Sequence, residues 1–95
     1  MQNKSQIVIY ATQWCPDCLR VRRLLNEMKV EYKLIDINQD DRGKEYVMRV
    51  NHGNKNVPTI LFPDGSILVE PSNSILSQKI NRLKTDAENN VVDQS

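Results

Sequence analysis

The order of its short apolar segments is the feature that most constrains how this chain can fold. A β-branched run over residues 6–10 is followed by an amphipathic stretch from Pro16 to about Val30, and then by a strand-like run over residues 32–37. Proline suits the first turn of a helix, so Pro16 marks the predicted start of that helix. A strand, a helix and a second strand in this order predict two parallel strands joined by a right-handed crossover.

The second half of the chain predicts a short helix, a hairpin and a last helix. Turn and cap residues over 38–41 precede the short helix. The strand-like runs 57–62 and 67–70 flank a Pro-Asp-Gly-Ser turn, which is typical of two antiparallel strands. Either Ser72 or Asn73 can cap the last helix. The order β-α-β-α-β-β-α, with four strands and three helices, predicts an α/β domain of two or three layers.

The length of the chain, 95 residues, fits one domain. Residues 1–84 hold all seven elements, whereas residues 85–95 are polar and lack a hydrophobic period, so we expect a disordered tail there. A net charge of +1 gives no reason to expect a nucleic-acid partner. Because no apolar run reaches membrane-spanning length and no leader pattern is evident, we expect a cytoplasmic monomer that does not bind membranes.

Both cysteines of the chain, Cys15 and Cys18, lie at the predicted start of the first helix. Within one helical turn their β-carbons can approach closely enough for a disulfide bond. The helix N-terminus supplies amide donors and partial positive charge, which stabilise a thiolate. A reducing cytosol does not maintain structural disulfides, and so short a loop would gain little stability from one. The pair therefore indicates redox catalysis or metal binding.

The C-x-x-C after the first strand, together with Val57-Pro58 before the third, resembles the active site of the glutaredoxins. The similarity covers residues 6–83, and the nearest group is bacterial and includes the mycoredoxins. It implies a thioredoxin-like (glutaredoxin) fold with a four-stranded mixed sheet and three helices. By this resemblance Cys15 is the nucleophile, Cys18 is the resolving thiol, and Pro58 is a cis-proline that faces them.

The resemblance also implies a function, which is thiol-disulfide oxidoreductase activity on protein disulfides or protein-thiol mixed disulfides. The dithiol would need no bound cofactor. Its partners would be disulfide-containing proteins and an electron donor, either a low-molecular-weight thiol or a thioredoxin reductase. Glu70-Pro71 replaces the Gly-Gly pair that many glutaredoxins use against glutathione, and Glu45 would repel the glycine carboxylate of glutathione. Mycothiol and bacillithiol therefore stay open as donors beside glutathione.

Several residues around the cysteines are candidates for substrate contact. An aromatic residue often precedes the nucleophile in this family, and the backbone before the cis-proline can pair with an extended peptide or thiol. A hydroxyl, an amide and free helix N-terminal amides can bind a carboxylate. The candidates are Trp14, Pro16, Asp17, Val57, Pro58, Ser72 and Asn73.

Two other interpretations of the cysteine pair stand beside redox catalysis. With His52 as its one histidine, the chain cannot build a four-ligand Cys/His site alone, so we expect no bound metal. The alternative is a metal-binding or iron-sulfur cluster-carrying module, in which Cys15 and thiols from outside the chain bridge a cluster between two chains. A non-catalytic interaction domain is the third. We interpret Arg20, Arg22 and Arg23 as a solvated side of the helix.

Overall fold

The structure of the chain is a computed structural model that describes the backbone of residues 6–94 and the side chains of residues 6–85. The predicted order of elements and the four-stranded mixed sheet with three helices are confirmed. The elements are β1 (Ile7–Ala11), α1 (Pro16–Glu27), β2 (Tyr32–Asp36), α2 (Asp41–Val50), β3 (Thr59–Leu61), β4 (Ile67–Val69) and α3 (Asn73–Gln94).

The strands are ordered β2-β1-β3-β4, so that β1 and β3 lie in the middle of the sheet. β1 pairs in parallel with β2, and Ile9 lies opposite Leu34. β3 runs antiparallel to both β1 and β4, with Ile60 opposite Ile9 on one side and Leu68 on the other. Because of this pairing, the chain leaves the carboxyl end of β1 close to the point where it enters β3.

Alternate residues of β1 face two different hydrophobic clusters, as the period of a strand requires. Ile7, Ile9 and Ala11 pack against the side chains of α1 and α3, whereas Tyr10 packs on the opposite face with Val47 of α2. The larger cluster therefore lies under α1 and α3. Its fully or almost fully buried members are Ile7, Ile9, Ala11, Cys18, Val21, Leu25, Ile60, Phe62, Leu76 and Ile80.

The helix α1 ends at Glu27, earlier than the predicted end near Val30. Lys29 adopts a left-handed conformation with a φ of 59°, and the N–H of Val30 donates to the carbonyl of Leu25 at 2.9 Å. This bond satisfies a carbonyl that the end of the helix leaves free. It also lets Val30 turn back onto the cluster under α1, so the apolar pattern outlasts the helix.

The helix α3 continues to Gln94, where the sequence predicts a disordered tail over residues 85–95. The reason is local, because the range 73–94 contains no glycine or proline that would end a helix. Residues 1–5 and 95 lie outside the described residues. The division of the chain into a domain over residues 1–84 and a separate tail stays a prediction. Over residues 6–94, none of the helices combines the length and the apolar character needed to cross a membrane.

Candidate active site

Cys15 is the N-cap residue of α1, at the end of the loop that follows β1. Its Sγ accepts a hydrogen bond from the backbone N–H of Cys18 at 3.0 Å, as an N-capping side chain does. Pro16 takes the first helical position, where a missing N–H costs nothing. The side chain is half-buried, and its thiol donates to the carbonyl of Val57 at 3.8 Å. This sulfur thus lies between a backbone N–H at the start of α1 and the carbonyl of Val57.

Cys18 differs from Cys15 in its surroundings. Only 2% of it is exposed, and it packs in the cluster under α1. Burial above all, and then a hydrogen bond with the side chain of Cys15, raise the pKa of the Cys18 thiol to about 12. Both cysteines are free thiols in this structure. At neutral pH Cys18 is therefore protonated, while Cys15 is the sulfur that a substrate can reach.

The peptide bond between Val57 and Pro58 is cis, as the resemblance predicts. Pro58 is buried at the start of β3, beside the end of β1, and the carbonyl of Val57 lies next to Cys15. The carbonyl of Pro58 accepts a hydrogen bond from the N–H of Glu70 at 2.9 Å. Glu70 has a φ of 49°, so its backbone follows a left-handed turn that ties the segment before α3 to this proline.

The start of α3 is held by its own cap and by a residue of α1. Ser72 accepts a hydrogen bond on its Oγ from the N–H of Ile75 at 3.2 Å, and therefore acts as the N-cap. Arg20 donates to Oδ1 of Asn73 at 2.7 Å and to the carbonyl of Pro71 at 3.0 Å. One guanidinium thus connects the helix that carries both cysteines with the first turn of α3.

Asp17 adds a charge to the same side of α1. Its carboxylate lies 3.5 Å from the guanidinium of Arg20, one turn further along the helix. The same carboxylate is a smaller cause of the raised pKa of Cys18. We call this side of the site, made by Asp17, Arg20, Pro71 and Asn73, the α3 flank.

An open cleft of about 290 Å³ lies on the other side of Cys15. Trp14 and Leu19 line it and are 88% and 46% exposed, respectively. Arg22 also lines it, and its Nε is buried with no hydrogen-bond partner among the described residues. We call this side, defined by Trp14, Cys15, Leu19 and Arg22, the Arg22 cleft.

The predicted substrate-contact residues divide into two groups. Those around Cys15 line the Arg22 cleft or lie beside its sulfur, and they are Trp14, Pro16, Val57 and Pro58. Those on the other side are already engaged within the protein, through Arg20 or a helix cap, and they are Asp17, Ser72 and Asn73. The contact of each residue with a substrate stays a prediction.

The sequence-based interpretation of the three arginines as one solvated side misses two roles. Arg20 makes the contacts of the α3 flank, and Arg22 lines the cleft. Spacing could have revealed the second role, because Leu19 and Arg22 follow Cys15 by four and seven residues, the interval of one helix face. The contacts of Arg20 depend on the position of α3, which the local sequence around Arg20 does not specify.

Metal-binding side chains do not gather in this part of the chain. Across the described residues, three or more His, Cys, Asp or Glu side chains nowhere come together in a way that could hold a metal ion. The cluster-carrying alternative uses thiols from outside the chain, so this finding does not bear on it.

Comparison with known proteins agrees with this geometry. The family profile described as Glutaredoxin matches residues 7–67. Mycoredoxin 1 of Corynebacterium glutamicum is 40% identical over 79 residues, which cover 83% of this chain and 98% of that protein. The thioredoxin-like protein BC3987 has a TM-score of 0.68 at 23% identity, over 77% of this chain and 97% of its own. A glutaredoxin from Archaeoglobus fulgidus has a TM-score of 0.66 at 22% identity, over 83% and 89%.

The two solved structures, at such low identity, speak for the fold alone. Together with a C-x-x-C pair at the start of the first helix, that fold defines a thioredoxin-like protein. The profile match and the 40% identity to a curated relative define the narrower class. The chain belongs to the glutaredoxin family.

Proposed function

We propose that this protein is a thiol-disulfide oxidoreductase that reduces disulfides in proteins, or mixed disulfides between a protein and a small thiol. The observation that carries the proposal is the difference between its two thiols. Cys15 is half-buried and has a backbone donor on its sulfur, whereas Cys18 is buried behind it. This difference suits a reaction in which one cysteine attacks first and the other completes the exchange.

In the first step the Cys15 thiolate attacks one sulfur of the substrate disulfide. A bond forms between Cys15 and that sulfur, the substrate S–S bond breaks, and the leaving sulfur departs as a thiolate that takes a proton from solvent. In the second step Cys18 loses its proton to solvent and attacks the Sγ of Cys15. The substrate leaves as a second thiol, and the two electrons it has gained come from the cysteine pair, which is now a disulfide.

An external thiol must then return two electrons to the pair. Asp17, in the first turn of α1, adds a carboxylate to the rim of the site, and Glu70 stands where many glutaredoxins have a glycine against glutathione. Glutathione carries carboxylates of its own, so this rim suits it poorly. The relative named Mycoredoxin 1 makes mycothiol the first donor to test, with bacillithiol and a thioredoxin reductase as the others. Because the pair needs a reducing thiol pool, we propose the cytoplasm as its compartment.

The experiment compares the wild type with Cys15→Ser and Cys18→Ser on one disulfide-bonded protein substrate. Each is tested with glutathione and its reductase, with mycothiol, with bacillithiol and with thioredoxin reductase. We expect Cys15→Ser to lose all turnover, because no other exposed thiol exists in the chain. We expect Cys18→Ser either to accumulate a mixed disulfide, visible as an added mass on the intact protein, or to keep only a monothiol reaction with the small thiol. Turnover in Cys15→Ser would contradict the proposal.

A further inference from the structure

The Arg22 cleft has a charged group that nothing in it balances. Arg20 and Arg22 lie two residues apart, so they point to nearly opposite sides of α1. Arg20 is fully engaged in the α3 flank, but the hydrogen bonds and ion pairs of the described residues do not include Arg22. None of the described residues that line the cleft is acidic. A guanidinium has donors only, and a buried donor without an acceptor is costly.

The rest of the cleft wall is mostly apolar, with Thr12 and Gln13 as its uncharged polar members. Trp14 is the most exposed large hydrophobic side chain on the described surface, and Leu19 is also exposed. An exposed aromatic and an exposed aliphatic side chain beside a reactive sulfur are typical of a contact surface for another molecule. The volume of about 290 Å³ is at the small end for ligand sites, so it fits a few side chains of a partner.

We propose that the Arg22 cleft binds the segment of a protein substrate that adjoins the attacked disulfide. The occupant is a segment with one apolar and one acidic side chain near its cysteine. The carboxylate accepts hydrogen bonds from Arg22, and the apolar side chain packs against Trp14 and Leu19. This inference rests on the proposed function, and it assigns to that function a preference among protein substrates.

Charge complementarity is the argument for an acidic occupant. A carboxylate matches the planar fork of a guanidinium, and a partly buried pair of this kind is stronger than one in open water. A basic segment would meet the Arg22 charge without compensation. A small disulfide would leave the cleft empty and would gain nothing from Arg22.

The test uses four short synthetic peptides, each with one cysteine in a mixed disulfide with 2-mercaptoethanol. Each peptide has a leucine next to the cysteine and either glutamate or glutamine next to the leucine, on the N-terminal or the C-terminal side. The rate constant for reduction by the reduced full-length protein is measured under single-turnover conditions. We expect the glutamate peptide to react about five- to tenfold faster than its glutamine counterpart in one of the two orders.

Two variants separate Arg22 from general charge attraction. Arg22→Gln should remove the preference for glutamate, whereas Arg23→Gln, which changes an exposed neighbour outside the cleft, should keep it. Added salt should reduce the preference. Arg22→Lys, which keeps the charge without the fork, should give an intermediate ratio. Near-equal thermal unfolding curves of the variants would establish that the fold is intact.

The outcomes distinguish this inference from the proposed function. If all four peptides react but glutamate and glutamine do not differ, the cleft inference is overturned and the oxidoreductase proposal stands. An equal loss of preference in Arg22→Gln and Arg23→Gln would also overturn it, in favour of a general charge effect. If no peptide is reduced, the proposed function fails and the inference fails with it.

Discussion

The two flanks of Cys15 differ in whether their arginine makes hydrogen bonds within the described part of the protein. On the α3 flank, Arg20 reaches Asn73 and Pro71 of another element and also pairs with Asp17. In the Arg22 cleft, the buried Nε of Arg22 has no partner in the described part of the chain. Two arginines on one helix turn therefore have opposite roles.

The difference shows what each flank can contribute. Groups that already bond to one another hold the backbone in place and keep the first turn of α3 at a fixed position relative to the cysteines. A group without a partner can give its hydrogen bonds to a partner from outside the protein. The α3 flank is suited to hold the site in place, whereas the Arg22 cleft has the free donor that our proposal assigns to a protein substrate.

The largest expected effect concerns Cys18, which is buried in the cluster under α1. Its raised pKa means that, between about pH 8.5 and about 12, the unfolded chain releases a proton that the folded protein keeps. The free energy of unfolding should therefore fall as the pH rises, by up to about 1.4 kcal/mol per pH unit. Urea unfolding of the reduced protein from about pH 8 to about 10.5 measures this slope.

Cys18→Ala is the matched control, since it removes the titrating thiol and leaves other groups in place. Its slope should be smaller than that of the wild type over the same pH range. Equal slopes would mean that Cys18 is not protonated in the folded state at alkaline pH, and that the two thiols differ less than their surroundings indicate.

The next effect tests the comparison directly. Arg20→Met removes two hydrogen bonds and should lower the free energy of unfolding by about 1 to 2 kcal/mol. Arg22→Met removes a buried donor without a partner among the described residues, so it should leave the free energy of unfolding unchanged or raise it by about 1 kcal/mol. Urea unfolding gives both values, and hydrogen exchange should show faster exchange at the start of α3 in Arg20→Met alone. Equal effects of the two substitutions would break the distinction between the flanks.

A smaller effect is expected at Glu70, which lies at the base of the α3 flank. With a φ of 49°, this position favours glycine over any residue with a β-carbon. The free energy of unfolding of Glu70→Gly should exceed that of Glu70→Ala by about 1 kcal/mol, because both variants lose the bond from Asn56 and only one keeps the strained backbone. An alanine variant as stable as the glycine variant would argue against a left-handed turn here.

The smallest effect lies far from both flanks, at the turn between β3 and β4. A hydrogen bond from Lys79, with further bonds from Ser66, holds the pKa of the Asp64 carboxyl well below its usual range. The pair is partly exposed, so Lys79→Met should cost about 0.5 kcal/mol at pH 7. A depressed pKa stabilises the fold fully above about pH 4, and this stability is lost only as the pH falls through the pKa of the folded carboxyl, which lies well below that value. The difference should therefore persist at about pH 4. The check is Lys79→Met in an Asp64→Asn background at about pH 7, where urea unfolding should show a smaller difference, and an equal difference would exclude this pair as its cause.

Local periodicity predicts most of the fold, and the reason is visible in particular elements. The alternation in β1 and the helical spacing in α1 depend only on neighbours in sequence, so both elements lie where the pattern indicates. The end of α1 does not lie where the pattern indicates, because Lys29 adopts a left-handed conformation and Val30 then packs under the helix. That is a tertiary contact, which a local pattern cannot specify.

The candidate site divides in the same way. The cysteines and the cis Val57–Pro58 bond follow from two short motifs in register with the strands. The distinct roles of Arg20 and Arg22 do not follow from the sequence motifs. Three arginines lie close together in sequence, and only the position of the start of α3 shows which of them makes contacts there. Sequence therefore indicates the chemistry, and packing decides which side of Cys15 is open.

The contact between Arg20 and Asn73 also has a kinetic consequence, because 53 positions of sequence separate its two ends. The pairing of β1 with β3 closes a loop of similar length, but it buries Ile9 and Ile60, whereas the contact of Arg20 is exposed and contributes little to closing the loop. We therefore expect this contact to form after the central strands have paired. Loss of a late contact mainly speeds unfolding and leaves the rate of folding nearly unchanged. The contact of Arg20 with Asn73 would then act mainly on how long a folded molecule stays folded, rather than on how fast it folds.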